Sequence, residues 1–244
     1  MSQFEQPAIE PTGDERYETI KSYFANLYHY HPDVYDVFSK NQVVQSDLID
    51  EISKVLKSHV LDSSATFLDV GCGTGVVIEQ LAPLFPSITF IGVDPAESSL
   101  KLARERCLPY KNASFRNGIV EELEQKGEKF NVVFSSWGHI QWNAQGKIME
   151  RVATDGGVVM LVNNWGENDD FGKLWPETAI SVFVKRRELM QQGDFNVQRL
   201  DSYLDLTDPP VYNSMSKLFG EEYVVKHKAA KRFQIGIVLA WKKL

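Results

Sequence analysis

Cysteine is almost missing: Cys72 and Cys107 are the whole complement of a 244-residue chain. Two thiols at that spacing form neither a disulfide framework nor a CxxC metal site, so a reducing cytosol is the expected compartment. Long apolar runs are missing too. No stretch approaches the ~20 residues that span a bilayer, and the polar segment Met1 to Arg16, which carries Pro7 and Pro11, lacks the basic-then-apolar order of a secretory signal. The expectation is a cytoplasmic protein with no membrane partner. Basic charge is also scarce, with 26 Lys and Arg against 33 Asp and Glu and a net charge of -7. Binding along a phosphate backbone draws on clustered cations that release counterions, so nucleic acid is not an expected partner. The one basic cluster, Lys226 to Arg232, alternates with apolar residues and is assigned to the exposed side of a strand.

What the chain has is alternation. From Tyr17 to His59 apolar residues recur at helical spacing, through Ile20, Tyr23, Phe24 and Leu27 and again through Leu48, Ile49, Ile52, Val55 and Leu56. Pro32 breaks this segment, because a residue before proline avoids the helical region. The pattern then switches. Thr66 to Val70 is a short apolar run ending in glycine, the signature of a buried parallel strand, and Val76 to Leu84 resumes helical spacing. Ile88 to Val93, Ser114 to Arg116, Phe130 to Ser135 and Val158 to Val162 give four more strands. A helix from Pro95 to Cys107 follows the second of them, with proline in its first turn.

Residues 166–220 show a helical pattern from Trp175 to Gln191, a looser stretch around Pro209 and Pro210, and a short helix at Ser214 to Phe219 that Gly220 would terminate. Tyr223 to Lys228 and Phe233 to Trp241 look like two strands paired antiparallel. The expected fold is α/β: a doubly wound, mostly parallel seven-stranded sheet with an antiparallel C-terminal hairpin, a helical N-terminal cap and a helical insertion before the hairpin. It forms one domain, divided into a tail and cap at 1–60, a ligand-binding core at 61–165, a lid at 166–220 and the hairpin at 221–244.

The chemistry centres on Gly71-Cys72-Gly73-Thr74-Gly75, which follows the first strand and opens a helix. Glycines there let the backbone turn tightly and bring amides close to a ligand at the helix start. The dinucleotide fingerprint G-x-G-x-x-G needs a small residue at position 76, where this chain has Val76. Asp69, at the carboxyl end of the first strand, would repel a pyrophosphate and attract a cation. Asp94 ends the second strand about twenty residues past the glycines, where an acid accepts hydrogen bonds from a ribose. The bland alternatives are a strand-end carboxylate capping local amides for Asp69 and a helix N-cap for Asp94, and Asp94 can serve both roles. Cys72 reads as a small loop filler, since nothing marks it as a thiolate.

Phe67-Leu68-Asp69-Val70-Gly71-Cys72-Gly73-Thr74-Gly75, with Ile91-Gly92-Val93-Asp94, resembles the first two motifs of the class I S-adenosylmethionine-dependent methyltransferases. Phe130-Asn131-Val132-Val133-Phe134-Ser135-Ser136 is similar to the family's fourth strand, Gln141-Trp142 to a His-Trp pair that follows it, and Ile148 to Val162 to the next helix and strand. The resemblance covers about residues 66–165. It implies S-adenosyl-L-methionine as cofactor, with no metal, held by Asp69, Gly71, Cys72, Gly73, Thr74, Gly75, Asp94, Pro95, Asn117, Gly118, Ile119, Ser135 and Ser136. At one place the chain departs from the family. Where many relatives carry an Asp for the adenine amine, alignment on Glu121-Glu122-Leu123 places Ile119, so Asn117 or a backbone carbonyl would substitute.

The acceptor is expected beyond the carboxyl ends of the fourth and fifth strands. The candidates there are Trp137, His139, Trp142 and Trp165, with Trp175 in the lid. Two tryptophans facing the pocket would imply a flat or cationic acceptor, although core packing explains them equally well. The loop after the fourth strand lacks the Asn-Pro-Pro-Tyr element of nucleic-acid amino methyltransferases, which agrees with the acidic charge. His139 is the first candidate for a general base, with backbone or water bonding as the alternative. His29 and His31 come next, because an N-terminal segment in this family folds over the cofactor. Tyr17, Tyr23, Tyr28 and Tyr30 are further lid candidates. The expected activity is N- or O-methylation of a small molecule; the alternatives are a protein or RNA methyltransferase and a catalytically silent partner subunit.

Overall fold

The computed structural model describes residues 32–44, 46–59, 64–137, 147–165, 168–170, 184, 187–188, 190–219, 221–228 and 231–244. Helix α1 is Pro32–Val44 and α2 is Leu48–His59. The first begins on Pro32, where the missing N–H costs nothing because a first-turn amide has no acceptor within its own helix. The second turns Leu48, Ile52, Val55 and Leu56 inward, as its spacing predicts. Then come β1 Thr66–Val70, α3 Val76–Leu81, β2 Thr89–Asp94, α4 Glu97–Arg106, β3 Ala113–Asn117, α5 Val120–Gln125, β4 Phe130–Ser136, α6 Lys147–Val152 and β5 Ala153–Asn164. The remainder is β6 Asn196–Asp205, α7 Pro209–Phe219, α8 Glu221–Lys228 and β7 Arg232–Lys243.

The strands lie in one seven-stranded sheet in the order β3-β2-β1-β4-β5-β7-β6. The first five are parallel, whereas β7 pairs antiparallel with both β5 and β6. Alternation along the central strands builds two cores. Phe67, Phe90, Val132 and Phe134 pack on one face with Leu48, Ile52 and Ile78; Leu68, Ile91, Val133 and Val159 pack on the other with Val120 and Ile148. On the first face the Phe67 ring lies 5.2 Å from Phe90 and 5.5 Å from Phe134, a row of three aromatics across β2, β1 and β4. A one-residue slip would send each ring to the opposite face, so this row helps fix the register. Because β2 and β3 lie on one side of β1 and β4 lies on the other, the order in which strands are added reverses between β1 and β4. In sheets of this order that switch point is where ligands bind, beyond the carboxyl ends of the strands.

Some expectations need correction. Tyr223 to Lys228 is not a strand but lies in α8, and the partner of β7 is β6, from within the stretch expected to be a helical lid. Lys226 to Lys228 accordingly lie on a helix. Pro95 precedes α4 instead of occupying its first turn; Ala96 is the N-cap residue. The helix expected from Ser214 starts earlier, at Pro209, with both prolines in its first turn. Most of the expected Trp175 to Gln191 helix, together with Gly220, lies outside the described residues.

Candidate functional site

The site forms where β1 and β2 end. Gly71 and Cys72 both donate their N–H to the Val93 carbonyl, at 2.8 and 3.2 Å, which folds the glycine loop back over β2. Gly75 has φ +76, and a Cβ there would come within 2.9 Å of the Ala103 Cβ and 3.2 Å of the Phe115 ring. This is where α3 leaves the loop pressed against α4. Gly73, at φ +52, is the opposite case: a Cβ there would meet nothing within 4 Å. Its backbone faces open space that a ligand can enter.

Two carboxyl groups lie beside that loop. Asp94 is buried, and each of its oxygens is engaged: Oδ2 accepts the Gly73 N–H at 2.9 Å and Oδ1 the Ala96 N–H at 2.8 Å. It ties the loop to the approach to α4, but the N-cap of that helix is Ala96 and carries no side-chain cap, so Asp94 braces the turn before the helix and is not its N-cap; each oxygen retains lone-pair capacity for another donor. Asp69 is 1% exposed. Its Oδ1 accepts no hydrogen bond from any described residue, so the reading of Asp69 as a cap for local amides gains no support there. Burial, reinforced by the nearby Asp94 charge, pushes the Asp69 carboxyl up to about 8. Burial also raises Asp94, but the Ala96 and Gly73 amides oppose the shift by favouring its ionised form. Cys72 is buried between these acids and its thiol is raised well above its ordinary value, which agrees with a loop-filling role. Cys107 is pushed up to about 12.

At the end of β3, Asn117 spends its amide NH2 on the carbonyls of Pro95 (3.1 Å) and Asp94 (3.4 Å), and Gly118 donates its N–H to the Asp94 carbonyl. Ile119 is extended before α5. The side-chain N–H groups of Asn117 therefore brace the end of β2, while its carbonyl oxygen retains acceptor capacity. Ser135 is fully buried with its hydroxyl donated to the Val70 carbonyl at 2.9 Å, which joins β4 to β1. Ser136 is half-buried at the tip of β4.

Beyond the end of β4, Trp137 sits in the left-handed region at φ 51. Its indole N–H donates to Asn164 Oδ1 at 3.0 Å, bridging the ends of β4 and β5. Trp165 makes a poor stacking platform. Arg187 and Arg199 already lie over its ring, 4.1 and 5.2 Å from the centroid, and Arg187 also donates to its carbonyl. The cation–π capacity of Trp165 is thus met within the protein. His29, His31, His139, Trp142, Trp175 and the tyrosines Tyr17, Tyr23, Tyr28 and Tyr30 lie outside the described residues. Among the described residues no three His, Cys, Asp or Glu gather as a metal site.

A family described as "Methyltransferase domain" matches residues 61–194, more than half of the chain. The chain belongs to the class I S-adenosylmethionine-dependent methyltransferases. The chain is similar to the malonyl-[acyl-carrier protein] O-methyltransferase of Bacillus cereus, at 35% identity over 100 residues, covering 41% of this chain and 36% of that protein. The chain thus spans about a third of that relative's length. A longer alignment, 27% identical over 198 residues, joins it to the dTDP-3-amino-3,4,6-trideoxy-alpha-D-glucopyranose N,N-dimethyltransferase of Streptomyces venezuelae, covering 73% of this chain and 77% of that one. In fold the chain resembles a SAM-dependent methyltransferase from Geobacter sulfurreducens solved with S-adenosyl-L-homocysteine, with a TM-score of 0.55 at 12% identity, covering 86% of this chain and 98% of the other.

Sequence reading missed one part of the site. Thr74 is clamped from outside the motif by Arg106, Asp36 and, through Arg106, Glu79. No spacing rule connects these residues, because they come from three helices that only the folded chain brings together.

Proposed function

We propose that the protein transfers a methyl group from S-adenosylmethionine to a nitrogen or oxygen of a small molecule. The observation that carries this reading is Asp69, a buried carboxyl with an oxygen unused by any described residue, two positions before the glycine turn. An acid in that state has one favourable partner, a cation that replaces its proton. A phosphorylated nucleotide cannot take the place of the Asp69 proton as a cation can, and its negative charge would further disfavour ionisation of either carboxyl, so the residues fit a cationic nucleoside better than NAD or FAD.

In this reading Asp69 holds the amino end of the donor, the open face over Gly73 admits its backbone, and Asp94 accepts from the ribose hydroxyls while keeping the loop closed. Asn117, Gly118 and Ile119 border the adenine. S-adenosylmethionine supplies an electrophilic methyl on a sulfonium, and transfer needs an in-line lone pair. The chain's task is therefore mostly positioning, which makes the encounter unimolecular. Trp137, held by Asn164, forms the wall nearest the acceptor. A histidine base at His139, His29 or His31 belongs to the same proposal, to deprotonate a hydroxyl or ammonium. Relatives named for O- and for N-methylation leave both atoms within it.

Calorimetric titration with S-adenosyl-L-homocysteine tests the reading. One site per chain is expected, with Asp94→Ala weakening it at least about tenfold, roughly the loss of a charged hydrogen bond. Absence of binding by the unmodified protein, or tighter binding of NAD or FAD, would refute it.

A further inference from the structure

Arg106, the last residue of α4, is 12% exposed in its side chain; both of its terminal nitrogens are hydrogen-bonded, and Nε makes an ion pair without hydrogen-bond geometry. Nη1 donates to the Thr74 carbonyl at 2.5 Å and lies 3.0 Å from its hydroxyl. Nη2 is 2.8 Å from the Asp36 carboxylate, and Nε lies 3.1 Å from Glu79 Oε2. The Thr74 hydroxyl in turn donates to Asp36 Oδ1 at 2.5 Å. Thr74 itself is 3% exposed, in the middle of the glycine loop. One guanidinium therefore ties together α1, α3, α4 and the loop. Paired groups this far out of water interact more strongly than surface pairs, and removing one partner leaves the others buried without compensation. Helix α1 also packs against β6 and α7, the strand and helix that follow the acceptor region.

We infer that Arg106 is a positioning residue: with Asp36 it latches the N-terminal helix to the loop that takes the methyl donor, so that docking of α1 and shaping of that loop are one event. The inference rests on the proposed donor site, but its structural half can be tested without ligand. Lysine cannot replace Arg106, since a single ammonium lacks the planar fork that reaches Thr74, Asp36 and Glu79 together.

Hydrogen exchange followed by mass spectrometry reads the latch directly. In the ligand-free protein, Asp36→Asn and Arg106→Lys should each speed exchange at least about threefold in residues 71–79 as well as 32–44, with circular dichroism unchanged. If 32–44 speeds up while 71–79 keeps its rate in both variants, the latch is overturned, whatever the ligand result. With S-adenosyl-L-homocysteine added, exchange in 32–44 should slow in the unmodified protein and not in Asp36→Asn, whose affinity should fall about tenfold. Thr74→Ser, which keeps the hydroxyl, should retain the slowing, and Thr74→Val should lose it. Unchanged affinity together with persistent slowing in both charge variants overturns the coupling. Failure of the unmodified protein to bind is a different result, which removes the donor assignment and leaves the ligand-free arm to decide the latch.

Discussion

Asp69 and Asp94 stand on adjacent strands, and hydrogen bonding separates them. Asp94 accepts two backbone amides, whereas one Asp69 oxygen accepts from no described residue. The folded chain therefore keeps a proton on Asp69 up to about pH 8, which the unfolded chain gives up near the ordinary value of 3.8. An acid raised on folding makes stability fall as pH rises through that window, since the folded state binds the extra proton. The contribution is full below about pH 4 and gone above about pH 8, with a slope of at most about 1.4 kcal/mol per pH unit. Urea midpoints between pH 5.5 and 8.5 should decline in the unmodified protein and decline less in Asp69→Asn; equal slopes would remove the proton from Asp69. Titration of S-adenosyl-L-homocysteine near pH 7 in buffers of different ionisation enthalpy should show proton release that the variant lacks.

Elements were legible where burial leaves a simple pattern. β1, β2, β4 and β5 are covered on both faces, so each reads as a continuous apolar run beside a glycine or a charge, and the loop between β1 and α3 carries its function in its spacing. β6 hides because it is an edge strand with Asp201 and Asp205 exposed, so its alternation includes charges instead of a continuous apolar run. Glu221 to Lys228 misleads because Tyr223, Val224 and Val225 form a short apolar run, which fits either period. Two glutamates in its first turn favour the helix it forms. The two assignments differ in a measurable way. Leu204 in β6 is fully buried opposite Phe233, while Val225 is 51% exposed. Leu204→Ala should cost about 2–5 kcal/mol in chemical denaturation and Val225→Ala under about 0.5. The reverse order would return the strand to 223–228. The Thr74 clamp had no sequence signal at all, since Asp36, Glu79 and Arg106 meet only through packing, and the histidine and outer tryptophan candidates fall on residues not described.

At the scale of the molecule, the proposed donor site lies at the carboxyl ends of the parallel strands and draws on the loop, β1, β2 and α4. A ligand there binds the folded chain and not the unfolded one. At a hundred times its dissociation constant, S-adenosyl-L-homocysteine should add about 2.7 kcal/mol, which raises the melting temperature of a domain this size by roughly 5–10 °C. Thermal scans check this, and no shift at saturating ligand would contradict the site. NAD at the same concentration should leave the curve in place.

The strand order has a consequence for how the sheet is assembled. β7 is synthesised last of the seven, yet it fills the slot between β5 and β6. While the ribosome is still adding residues before 232, β5 shows an unpaired flank and β6 has no neighbour in the sheet. Open flanks of this kind invite wrong partners. The nascent chain therefore passes through a stage in which its parallel half can be complete while its last two strands wait for one insertion, and that insertion closes both gaps together.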